Sequence, residues 1–85
     1  MTLQEFKNSL KPLYWKDLSV ADALYAIRAS VVYMIMRNNN ELHSLVVTDF
    51  SGTNSYKFKT LKDAQKKAED MMRDKITTYF YLRTE

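Results

Sequence analysis

The chain has no cysteine, and only one glycine, one proline and one histidine in 85 residues. Without cysteine there is neither a disulfide framework nor a thiolate metal site, and the lack fits an intracellular protein. The scarcity of glycine and proline argues against collagen-like or long disordered segments. No long apolar run is present. The longest, Val31-Val32-Tyr33-Met34-Ile35-Met36, is far short of the roughly 20 residues that a membrane span requires. Met1 to Phe6 has no basic stretch leading into an apolar one, so no secretory signal is expected there. The single histidine, His43, has no Cys, His or Asp at ligand spacing and no partner for a nucleophilic triad. It reads as an ordinary polar or half-buried residue. The loop Asp49-Phe50-Ser51-Gly52-Thr53-Asn54 lacks the several glycines and the following helix that a phosphate cradle needs. The expectation is therefore a non-enzyme with no catalytic residue, no cofactor and no metal.

What remains is an ordinary globular composition, 46% hydrophobic and 27% charged, in a length that allows one domain over residues 1–85 and one core. The net charge of +3 is localised. Basic and acidic residues cancel over 1–56, whereas 57–75 holds Lys57, Lys59, Lys62, Lys66, Lys67, Arg73 and Lys75 against Asp63, Glu69, Asp70 and Asp74. The excess is mild for a dedicated nucleic-acid binder.

Local patterns suggest the elements. Thr2-Leu3-Gln4-Glu5 has the form of a capping box, and Leu3, Phe6 and Leu10 fall on one face of a short helix that Pro12 stops. Leu13-Tyr14-Trp15 reads as extended. Residues 19–29 support two readings, a helix capped at Ser19-Val20-Ala21-Asp22 or a strand over Leu24–Ala29. Val31–Arg37 is β-branched and aromatic, as a buried strand should be. Asn38-Asn39-Asn40 is a turn, and Leu42–Thr48 returns as a hairpin partner. Ser55–Lys59 alternates, with Tyr56 and Phe58 inward and Lys57 and Lys59 outward. Residues 60–75 form the best-marked helix: Thr60-Leu61-Lys62-Asp63 caps it, and Leu61, Ala64, Ala68, Met71 and Met72 make its apolar stripe. Asp63–Lys67 and Glu69–Arg73 sit at the favourable i, i+4 spacing. Ile76–Leu82 has high strand propensity. These elements predict an α+β fold, a mainly antiparallel sheet of four or five strands packed on the 60–75 helix, with a short N-terminal helix.

The pattern Leu13-x-Trp15, Ala26, Tyr33-x-Ile35, Phe58-x-Thr60-Leu61-x-x-Ala64-x-x-x-Ala68 and Lys75-Ile76 resembles a group of small uncharacterised phage-encoded α+β proteins. The resemblance spans roughly residues 13–76 and favours the strand reading of 24–29. The chain departs from it at Val31, where those proteins carry Gly, and at Gln65, where they carry Lys. The resemblance transfers no site residues. It implies a phage or mobile-element origin and a location in the cytoplasm of a bacterial host. Phage genes of this size often encode inhibitors or modulators of host machinery, such as anti-CRISPR or anti-restriction proteins.

Two surfaces are candidates for partner binding. Lys57, Lys59, Lys62 and Lys66 could contact phosphates, although a solvated face is the plainer reading. Tyr79 and Tyr81, on the predicted last strand, suit protein contacts or homodimerisation by strand pairing. Met34, Met36, Met71 and Met72 could form an adaptable binding surface, but their spacing favours core. Glu69, Asp70 and Asp74 read as part of a solvated helix face. The expected function is steric binding of a host protein or protein–nucleic-acid complex, with no membrane partner. Direct nucleic-acid binding through the Lys57–Lys67 face is the alternative, and a small structural phage protein is a third reading.

Overall fold

Threonines start both helices. The Thr2 side chain accepts the Glu5 backbone N–H at 3.1 Å, opening α1 (Leu3–Ser9). Thr60 accepts that of Asp63, also at 3.1 Å, opening α2 (Leu61–Ile76). Each cap satisfies a donor that the first helical turn leaves without an intrahelical partner. Between the helices, a computed structural model, which describes residues 2–18, 22–37 and 42–78, has β1 (Lys16–Leu18), β2 (Ala23–Arg28), β3 (Val31–Arg37), β4 (His43–Asp49) and β5 (Gly52–Phe58). They form one antiparallel sheet in chain order. The fold is α+β, and residues 23–28 are a strand, not a helix.

Register assigns every side chain to a face. Cross-strand partners share a face and successive residues alternate. One face carries Ala26, Val31, Tyr33, Ile35, Leu45 and Val47, all buried. Against it lie Ala64, Ala68 and Met72 of α2, which have no exposed surface. The two alanines let α2 sit close to the strands, since no longer side chain intervenes. Trp15, Tyr56, Phe58, Met71 and Ile76 complete this core at its rim.

The N-terminal segment is tied to the same side. The Leu13 N–H donates to both carboxylate oxygens of Glu69 at 2.9 and 3.2 Å. The Arg28 guanidinium donates to the Lys11 and Pro12 carbonyls at 3.2 and 3.1 Å. Lys7 of α1 pairs with Asp74 at 2.9 Å. The link between α1 and β1 is thus held from the helix by Glu69 and from the sheet by Arg28. Glu69 is accordingly half-buried and structural, where the helical pattern alone suggested a solvated face.

Several expectations need correction. Among the described residues the fifth strand is β1, and the expected Ile76–Leu82 strand is replaced as far as it is described: Ile76 is helical, residues 77–78 continue as a π-turn, and 79–82 lie outside the described residues. Strand propensity loses here because Ile76 extends the Ala64, Ala68, Met72 series by one more i+4 step and packs on the core. Thr77 is buried behind it. Leu61 is 37% exposed, so it sits at the margin of the stripe. Gly52, Thr53 and Asn54 belong to β5, and the expected six-residue loop contracts to the two-residue turn Phe50-Ser51. Glu69–Arg73 forms at 3.3 Å, while the Lys67 ammonium lies over the Tyr56 ring, 5.5 Å from its centroid. The Asn38-Asn39-Asn40 turn and most of the Ser19–Asp22 cap lie outside the described residues, as do Tyr79 and Tyr81.

Candidate protein-interaction surface

The second face of the sheet is the notable one. Its positions fall into three rows across the strands. One is Leu18, Ala23, Met36, Ser44 and Lys57. The next is Lys16, Tyr25, Met34, Val46 and Ser55, and the last is Ile27, Val32, Thr48 and Thr53. Eight of these are apolar or aromatic, and they adjoin one another over β1 to β4. The serines and threonines lie towards β5. None of Tyr25, Val32, Met34, Met36 or Val46 belongs to the core cluster or packs against it. Ile27 is 62% exposed. Both helices and the 10–15 link are bonded to the other face. On this one Ala23 and Ser44 are buried, and Tyr25, Val32, Met34, Met36 and Val46 are half-buried. Three strand spacings make the apolar part about 14 Å wide.

Met34 and Met36 are therefore half-buried on the helix-free face and outside the core cluster, and the expectation that they are core is corrected. The cause is visible in β3, where Val31-Val32-Tyr33-Met34-Ile35-Met36 is apolar on both faces. Such a run reads as doubly buried, yet only its odd positions meet α2.

The lysines are spread out. Lys57 lies on the open face, in the row of Met36. Lys59 sits at the β5–α2 junction, in a groove of about 850 Å³ with Asp17, Asp22, Arg37 and His43. Lys62 and Lys66 are on α2 beside Pro12, Leu13 and Trp15. The sheet stands between Lys57 and the α2 lysines, so the four do not make one patch. His43 is half-buried, and its Nδ1 has no hydrogen-bond partner among the described residues. No three His, Cys, Asp or Glu side chains come together among the described residues as a metal site would need. No described helix is long and apolar enough to cross a membrane.

A second exposed feature caps one end of the sheet. Phe50, at the tip of the β4–β5 turn, is 88% exposed, with the Lys75 ammonium 5.9 Å from its ring centroid. The turn is braced by Asp49, whose carboxylate accepts the Ser51 N–H at 2.9 Å and hydroxyl at 2.6 Å and pairs with Lys75. The Lys75 hydrogen bond, followed by those from Ser51, holds the Asp49 carboxyl well below the usual carboxylate range. On the same side of the sheet, burial first and then the Asp49 charge push the Tyr33 hydroxyl up to about 12.

Comparison with known proteins leaves the chain on its own terms: no protein-family model, no curated protein and no solved structure matches it.

Proposed function

We propose that this chain is a non-catalytic binding domain that docks a protein partner on the helix-free face of its sheet. The observation that carries the reading is the asymmetry of the two faces. One face is filled by α2 and the N-terminal link, while on the other Ile27 is exposed, Tyr25, Val32, Met34, Met36 and Val46 are half-buried, and none of the six packs on the described core. Thioether and aromatic side chains supply adaptable contact area, and the serines and threonines beside them suit the polar margin of an interface. Together with the phage resemblance, the concrete form of the proposal is an accessory protein that sterically blocks a host defence or nucleic-acid machine.

The test is plating efficiency of a sensitive phage on bacteria carrying a restriction or CRISPR system and expressing this chain. Wild type should raise plating. Met34→Lys/Val46→Lys should abolish the effect while circular dichroism and the unfolding midpoint show a folded protein. Lys62→Ala/Lys66→Ala, remote from the open face, should act as wild type. Full protection by the folded Met34/Val46 variant would remove the open face from the function.

A further inference from the structure

The charges on the open face say what kind of protein surface fits it. Of its fourteen described positions only Lys16 and Lys57 are charged. They stand on the two edge strands with the apolar centre between them, about 19 Å apart across the sheet. Asp17 alternates to the helix side, and Asp22 lies in the turn before β2. The ion pairs among the described residues, Lys7–Asp74, Arg73–Glu69 and Lys75–Asp49, all involve α2. Neither open-face lysine is paired with a described carboxylate. Lys16 instead lies over the ring of Tyr14, which is 74% exposed and widens the surface at the β1 edge.

We infer that the open face takes an acidic amphipathic protein segment, an apolar stripe flanked on both sides by carboxylates. The inference rests on the docking reading above and adds the chemistry of the partner. An apolar centre excludes water, so charge complementarity at its margin decides which partners are accepted, and like charges are rejected. A second copy of this chain fits less well. Stacking two such faces with their strands aligned sets lysine over lysine when β1 lies over β1, or brings Lys16 beside the partner copy's Lys57 when β1 lies over β5. Either arrangement places no carboxylate opposite. Single-stranded nucleic acid would want a row of aromatic stacking platforms, whereas the centre here is aliphatic and thioether around Tyr25 alone.

Two designed helical peptides of about 18 residues test this, long enough to cross the sheet. They share one leucine stripe and differ only in flanking residues, Glu in one and Lys in the other. Backbone amide shifts of the labelled full chain report where each binds. The Glu-flanked peptide should perturb the Tyr25, Met34 and Val46 amides and bind at least about tenfold more tightly than its Lys-flanked twin. Lys16→Glu/Lys57→Glu, both at exposed positions, should reverse that order. Equal binding of both peptides on this face would overturn the charge inference and leave protein docking standing. A short single-stranded RNA that perturbs the same rows and displaces the peptide would overturn both. Doubling of the solution mass with loss of peptide binding would assign the face to a second copy. No shifts on these rows with either peptide would overturn the inference outright.

Discussion

Ala64 and Ala68 carry more of the structure than their size suggests. Each has no exposed surface and lies between α2 and the strands. Ala68→Leu must push the helix away or force off-rotamer packing, at a cost of about 1–3 kcal/mol. A denaturation midpoint equal to wild type would show that α2 is not seated on the sheet this way. Ala29 and Ser30 are informative in the opposite sense. Both have positive φ, 54° and 65°, in the two-residue turn between Arg28 and Val31. Positive φ at both central positions is the type I′ pattern that favours Asn-Gly, and a residue with a Cβ in that region costs roughly 1–2 kcal/mol. Ser30→Gly should therefore stabilise the protein by about 0.5–1 kcal/mol, after allowing for the greater unfolded-chain entropy of glycine. Thermal unfolding measures this, and an unchanged or lower midpoint would argue against the strained turn.

At the scale of elements, the β4–β5 turn and the end of α2 are joined through Asp49 and Lys75, and the joint responds to pH. The Asp49 carboxyl titrates below its ordinary value of 3.8 in the folded chain, chiefly through its hydrogen bond from Lys75. The unfolded state therefore binds the proton first as pH falls. The stabilisation is present above the ordinary carboxylate value and is lost on acidification below it. Urea midpoints at roughly pH 6 and pH 3 should differ less in Asp49→Asn than in wild type, and equal acid sensitivity would show that the pair does not hold the turn. Much of this architecture was legible beforehand. Thr60 with the Leu61–Met72 stripe marked α2, and alternation at Tyr56 and Phe58 marked β5, because capping and periodicity are local properties. β1 was missed because three residues carry no period. Ile76 was misread because packing on the core outweighed β-propensity. The open face was hidden for a related reason: apolarity on both sides of β3 says that each could be covered, and only tertiary contacts reveal which one is. The expected lysine cluster failed through register, as Lys57 alternates away from the α2 lysines.

For the whole molecule, that division of lysines bears on nucleic acid. A duplex tracking one side would meet Lys62 and Lys66 or Lys57, but not all of them. Titrations with duplex and single-stranded DNA and RNA at two salt concentrations should therefore show at most weak binding. Neutralising Lys57, Lys59, Lys62 and Lys66 together should change it little. Sub-micromolar affinity that falls steeply with salt and disappears in that variant would reverse the conclusion, because each phosphate contact releases counterions.

One-sided packing also governs how such a chain can change. In saturation mutagenesis scored only for abundance, Tyr33, Ile35, Leu45 and the α2 alanines should tolerate almost nothing, while Tyr25, Met34, Val46 and Ile27 accept wide replacement. Scored for action on a partner, the second group should become the intolerant one. A lineage under pressure from a shifting target could therefore rewrite one side of this sheet residue by residue, trading one recognition surface for another while the other side keeps the chain folded.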